Sequence, residues 1–280
     1  MIQDIGRNRF NNAYKAKKIT DKDLLIIMWK DQLLVKEQEG QIQYPTWAEL
    51  NSLIKEEQII YLFSIDETGY YLVMTTEQIC IASGSFVGIS AVRGKSPKEN
   101  VFVAATAWHL YGWYRDHQFC GRCGSKTTQD KKERMLRCPK CGNMIFPRIA
   151  PAVIVGIRNG SRLLLTRYAN RAYKKYALVA GFTEIGETPE ETVRREVMEE
   201  VGLRVKNIQY YKSQPWGFDG NLLLGFWCDV DGDTEVLMDQ EELSVAEWVS
   251  AEAIPDYGEG LSLTHEMMQV FREQNKGKVS

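Results

Sequence analysis

Residues Gly181 to Leu203 read GFTEIGETPEETVRREVMEEVGL. Glu196, Glu199 and Glu200 fall at i, i+3 and i+4, which places them on one side of a helix. Three unpaired carboxylates repel one another, and a cation that neutralises them removes that cost. Oxygen-only ligands suit Mg²⁺ or Mn²⁺, ions that keep coordination positions for water and for substrate phosphates. The helix is delimited at both ends. Thr188-Pro189-Glu190-Glu191 fits a capping box, with Thr188 as N-cap, Pro189 at the first helical position and Glu191 reaching back. Gly202 stands where a helix ends in a left-handed residue. Val193, Val197 and Val201 recur every fourth residue and supply a buried seam. A solvated acidic face is the competing reading of the charges alone.

The chain of 280 residues has a formal net charge of -2 and is 44% hydrophobic. It is long enough for two domains with cores, and its net charge does not mark a nucleic-acid-binding protein. No apolar run approaches a membrane span, and the opening MIQDIGRNRFNNAYKAKK lacks a signal-peptide core, so a cytoplasmic location with no membrane partner is the expectation. Four of the six cysteines form two CxxC pairs, Cys120/Cys123 and Cys138/Cys141, fourteen residues apart. This is zinc-ribbon spacing: two knuckles complete a tetrahedral site, and with every ligand from protein the zinc is structural. Disulfides are the alternative, disfavoured in a cytosolic chain. Cys80 and Cys228 lie in apolar surroundings and read as buried thiols.

Four segments follow. Residues 1–98 form a β-rich N-terminal domain, with strands read at 24–29, 32–36, 59–66 and 70–76 and a hairpin turn marked by Glu67, Thr68 and Gly69. Residues 99–118 form a connecting helix with an apolar stripe through Val101, Ala105, Trp108 and Tyr111. The ribbon occupies 119–146. The last segment, 147–280, holds strands at AVIVGI, RLLLTR, YALVAGF, IQYYKSQPW, LLLGFWCDV and SVAEWVS, the acidic helix, and a closing helix near LTHEMMQVFREQ. Strands with one helix on each side suit an α-β-α sandwich of the α+β class.

The quoted stretch matches the Nudix box at every fixed position: Gly181, Glu187, Arg195-Glu196-Val197, Glu199-Glu200 and Gly202-Leu203. With the ribbon ahead of it, the chain resembles the NADH pyrophosphatases (NAD diphosphatases) among the Nudix hydrolases. The resemblance runs from about Arg93 to the end and includes Phe146-Pro147-Arg148-Ile149-Ala150-Pro151 and Ser213-Gln214-Pro215-Trp216. The subfamily pattern SQPWPFPxS here reads SQPWGFDGN, with Gly217 and Asp219 for two prolines and Asn221 for the last serine. Gly217 is expected to loosen that loop, and Asp219 to add a negative charge near an anionic substrate.

The resemblance implies a Nudix fold and metal-dependent hydrolysis of the pyrophosphate of NAD(H) to AMP and nicotinamide mononucleotide. It also implies removal of NAD caps from RNA. By position, Glu196, Glu199, Glu200 and the carbonyl of Ala180 resemble the Mg²⁺ or Mn²⁺ ligands. Glu200 orients or deprotonates the attacking water, and Arg195 pairs with a carboxylate. Glu242 resembles the distal metal ligand, with Glu241 as competitor. Arg93, Glu133, Phe146, Phe182, Gln214, Pro215, Trp216, Gly217, Phe218, Asp219, Gly220, Asn221 and Thr264 resemble substrate-contacting positions. Phe182, Trp216 and Phe218 are expected to stack on rings. A homodimer completing its sites across the interface is also implied, with Phe146 serving the partner. Hydrolysis of ADP-ribose or dinucleoside polyphosphates is the alternative that the altered loop keeps open. Basic residues between Arg115 and Arg148 could track an RNA backbone.

Overall fold

The computed structural model describes every residue except 15–16, 83, 171–173, 259 and 278–280. The chain forms two compact units. One comprises Ile2–Arg148 with Trp216–Gly220, and the other Met1, Ile149–Pro215 and Asn221–Ser280. The five-residue stretch after Pro215 therefore belongs with the N-terminal unit although its flanking strands do not.

The N-terminal unit is built on strands β1 (Phe10–Asn11), β2 (Leu24–Trp29), β3 (Gln32–Gln38), β4 (Gln41–Gln43), β5 (Ile59–Ile65), β6 (Thr68–Met74) and β7 (Gly84–Gly88). Their order is β1-β5-β6-β2-β3-β4, with β7 pairing β3. The β2–β3 hairpin turns through Lys30 and Asp31, both at positive φ, as a two-residue turn matching strand twist requires. The β5–β6 turn centres on Asp66 at φ 49, not on Gly69, which pairs with Ser64 inside the sheet. Gly69 is there because its N–H donates to Asp23 at 2.6 Å, and an added Cβ would come within 2.9 Å of that carboxylate. Helices α1 (Trp47–Leu50) and α2 (Ile89–Val92) are short. Helix α3 (Lys98–Asp116) buries far more than one stripe: Val101 to Ala105, Ala107, Leu110, Tyr111, Trp113 and Tyr114 are all inside, as for a helix that is apolar nearly all round. Ribbon strands β8 (Thr128–Gln129), β9 (Leu136–Arg137) and β10 (Met144–Ile145) form a small antiparallel sheet. Cys80, expected to be buried, is exposed; Cys228 is buried, and its thiol is pushed up to about 12 by desolvation.

The C-terminal unit holds β11 (Ala150–Asn159), β12 (Arg162–Tyr168), β13 (Val179–Phe182), α4 (Pro189–Val201), β14 (Val205–Trp216), β15 (Asn221–Val230), β16 (Leu243–Ser250) and α5 (Leu263–Asn275). The mixed sheet runs β14-β15-β11-β12-β16, with β13 paired to β11. Alternation along β11 divides the core. Val153, Val155 and Ile157 pack with Val193, Val197 and Val201 of α4. On the other face, a Cβ on Gly156 would meet Met267 of α5 at 3.3 Å. The sheet thus lies between two helices, the α-β-α arrangement of the Nudix fold. Helix α4 has the capping box Thr188/Glu191, Pro189 in its first turn, and Gly202 at φ 68 as its C-cap.

Candidate active site and zinc ribbon

Helix α4 and strand β13 meet through one small residue. A Cβ on Gly181 would fall 1.8 Å from the carboxyl carbon of Glu196, so only glycine leaves room for that carboxylate against the strand. Ala180 and Phe182 flank it, and the Phe182 ring is 54% exposed.

Arg195 gathers the acidic side chains. Its Nε and Nη2 donate to the two oxygens of Glu187 at 2.6 and 2.9 Å, a bidentate pair. Its Nη1 donates to Glu196 at 2.8 Å and Glu199 at 2.9 Å, and Nη2 also donates to the Phe182 carbonyl at 2.9 Å. The guanidinium and the Glu184 N–H hold the Glu187 carboxyl down at about 2, from an ordinary 4.5. Glu196 is displaced upward: burial is the main cause, and Glu199 and Glu242 add repulsion that Arg195 partly offsets. Glu200 is only 2% exposed, and its carbonyl accepts the Asp239 N–H at 2.9 Å. An all-oxygen donor set, a glycine cradle for one carboxylate and charge accumulating around it fit a hard divalent cation. Sequence pattern gives Glu187 no role of its own, although it fills a fixed box position. Its bond from Thr192 Oγ1 and its fork with Arg195 show that it fixes the arginine.

Several of the predicted substrate positions are occupied otherwise. Gln214 is 0% exposed; its Nε2 donates to the Leu261 carbonyl and its Oε1 accepts the Leu263 N–H, both at 2.7 Å. It anchors the start of α5, just before Thr264. Trp216 is 6% exposed, with the Arg93 guanidinium 4.9 Å from its ring centroid and Phe218 edge-on at 5.1 Å. Asp219 accepts the Trp216 indole N–H at 2.8 Å. Asp219 thus orients the indole besides carrying its charge. Gly217 is required by close packing: a Cβ there would lie 2.2 Å from the Ala105 carbonyl oxygen of α3. Gly220 has φ +74, next to His109. Pro215 is exposed, and Asn221 opens β15 opposite Ala150. Glu133 and Phe146 are both exposed on the N-terminal unit.

In the ribbon, Cys120, Cys123, Cys138 and Cys141 place their sulfurs within 4.8 Å of one another. The Cys120–Cys141 and Cys123–Cys138 separations are 3.6 and 3.4 Å, close to the ~3.8 Å edge of a tetrahedron with Zn–S of about 2.3 Å. The two knuckles are alike. Gly124 and Gly142 take φ of +70 and +72, and their N–H groups donate to the carbonyls of Cys120 and Cys138 at 2.8 and 3.0 Å. Backbone donation from Ser125 draws the Cys123 thiol down to about 6, favouring the thiolate a metal takes. The donor set and spacing fit zinc.

Residues 148–271 match the NUDIX domain, and residues 115–146 match the NADH pyrophosphatase zinc ribbon domain. The chain thus carries a NUDIX domain, with an NADH pyrophosphatase zinc ribbon domain ahead of it. It is 41% identical over 153 residues to the NAD-capped RNA hydrolase NudC of Erwinia tasmaniensis, covering 55% of this chain and 58% of that one. It is 38% identical over 173 residues to the protein of the same name from Chromobacterium violaceum, covering 62% and 65%. The match therefore spans less than two thirds of these relatives' length. A NUDIX hydrolase structure from Nitrosomonas europaea is 22% identical, with a TM-score of 0.48, over 57% of this chain and 93% of that one. Among the described residues no helix is long and apolar enough to cross a membrane.

Proposed function

We propose that the chain hydrolyses the pyrophosphate of NAD(H), giving AMP and nicotinamide mononucleotide. The observation that carries this reading is the Arg195-centred carboxylate cluster against Gly181, in a chain that also has the NADH pyrophosphatase ribbon. Glu196, Glu199, Glu200, Glu242 and the Ala180 carbonyl are the assigned Mg²⁺ or Mn²⁺ ligands. A divalent cation bound there supplies charge neutralisation on the pyrophosphate and a lowered pKa for water. Glu200 orients the attacking water and accepts its proton; the new P–O bond forms as the bridging P–O bond breaks. Arg195 and Glu187 fix the carboxylates. Phe182, with its exposed ring, is the assigned stacking partner for the nicotinamide or adenine.

The names of the relatives favour NAD-capped RNA as a second substrate of the same site. A homodimer belongs to the same reading, supported by the exposed Phe119, Met144 and Phe146 on the ribbon side. So does a cytoplasmic location, where reduced thiols hold zinc. The test is a panel of NADH, NAD⁺, NAD-capped RNA, ADP-ribose and diadenosine polyphosphates with zinc-loaded protein in Mg²⁺ and in Mn²⁺. NAD(H) should show the highest kcat/KM among the free dinucleotides. Faster ADP-ribose or polyphosphate cleavage would replace the assignment with the alternative specificity.

A further inference from the structure

The N-terminal unit contains a cleft of about 540 Å³ that no role described so far uses. It lies where β5 approaches the first ribbon strand, and its walls include Tyr14, Lys17, Lys18, Tyr61, Lys131 and Glu56. The volume is within the range of small-ligand sites. Lys17 donates to the Glu67 carbonyl at 3.1 Å. Lys18 and Lys131 make no ion pair among the described residues, and both are exposed. Asp130 also lines the cleft, but its carboxylate is engaged: one oxygen accepts the N–H groups of Lys132 and Glu133 at 2.8 and 3.1 Å, and the other faces Arg137 at 3.7 Å.

A further cation stands behind the aromatic wall. The Arg134 guanidinium lies 5.2 Å from the centroid of Tyr14. Among the described residues its hydrogen bonds go only to neutral oxygens, the carbonyls of Asn12 and Leu62 and the Asn12 side chain. Its Nη1 is buried with no partner among the described residues. Burial pushes this guanidinium down from its ordinary value. A partly buried cation without a carboxylate partner carries a desolvation cost, and an anion nearby offsets that cost. Lysines at a cleft rim, tyrosine rings in its wall and an uncompensated arginine behind them are the donor set for a phosphate joined to a flat ring.

We propose that this cleft binds a nucleoside phosphate, with Lys17, Lys18 and Lys131 on the phosphate and Tyr61 against the base, separately from the hydrolytic site. The ligand is a free mononucleotide or one nucleotide of a single strand, which present the same chemistry. The test is equilibrium dialysis of labelled AMP against zinc-loaded full-length protein without divalent cation. Wild type should show a class of sites that Lys18→Glu with Lys131→Glu weakens about tenfold or more, while NADH turnover stays unchanged. Tyr61→Leu should weaken the same class roughly 5- to 150-fold. Glu196→Gln with Glu200→Gln should leave it intact, which separates this site from the hydrolytic one. An unlabelled oligoadenylate with a 5′-hydroxyl that displaces AMP at equal or lower concentration identifies the strand as the source, and failure to displace identifies the free nucleotide. The proposal falls if the double lysine variant binds AMP as wild type does. It falls equally if inorganic phosphate displaces AMP at equimolar concentration, for then no base is recognised.

Discussion

The Glu196 carboxylate fills the space that a side chain on Gly181 would need: a Cβ on the glycine would lie 1.8 Å from the carboxyl carbon of the glutamate. Strand β13 and helix α4 are therefore registered by the one residue type that lets the carboxylate approach. Gly181→Ala should push Glu196 away by the order of 1 Å and lower kcat by about 10²-fold. Circular dichroism should show the fold retained, and steady-state NADH kinetics read the loss. Wild-type kcat in the variant would mean that Glu196 has no fixed task.

Glu200→Gln keeps the shape of a buried side chain and removes its basicity. Activity should fall by about 10²–10⁴-fold with the melting temperature nearly unchanged. Glu241→Gln should have little effect beside Glu242→Gln, because the motif spacing assigns the distal metal carboxylate to Glu242, whose charge also raises Glu196. Equal losses in those two variants would reopen the choice between them.

The ribbon should hold one zinc per chain. Elemental analysis should find it in wild type and lose it in Cys138→Ser with Cys141→Ser. Chelation should lower the melting temperature before it changes kcat, because a site with four protein ligands contributes folding energy and no open position.

Acid should act through Glu187. Its folded pKa, about 2, lies below the ordinary 4.5, so the stability it contributes is fully present above about 4.5 and is lost as pH falls toward 2. Urea unfolding of wild type and Glu187→Gln should differ most near pH 6, with the gap shrinking below about 4.5 and closing only as pH approaches 2. A gap that stays constant over that range would show that the ionised Glu187–Arg195 pair is not its origin.

Restoring the family proline at position 217 should do harm. The added ring would run into the Ala105 carbonyl of α3, whose oxygen lies 2.2 Å from where a Cβ at Gly217 would stand. Overpacking of this kind costs about 1–3 kcal/mol. Gly217→Pro should lower the melting temperature and raise KM for NADH, and an unchanged melt would contradict the contact.

Helix α4 is legible in full because everything that defines it is local: the Thr188 cap, Pro189, the valine seam and Gly202 lie within fifteen residues of sequence. The ribbon is legible for the same reason, since each knuckle closes through its own CxxC and glycine. The strands of the C-terminal unit are visible as apolar runs. What local pattern does not show is who meets whom across the chain. Gln214 reads only as a motif residue, yet its side-chain amide clamps the backbone of Leu261 and Leu263. Gly69 reads as a turn, yet Asp23 accounts for it. Asp219 reads as a stray charge, yet it is the acceptor for Trp216.

The contact between Gly217 and Ala105 bears on attempts to move specificity between enzymes. The residues from Trp216 to Gly220 are sequence neighbours of two catalytic-domain strands, but their backbone is shaped by a helix encoded more than a hundred positions earlier. A chimera that grafts this loop alone into another hydrolase would carry the aromatic side chains without the surface that sets them. The transplantable module is the loop together with α3 and Arg93, and swaps should be designed at that grain.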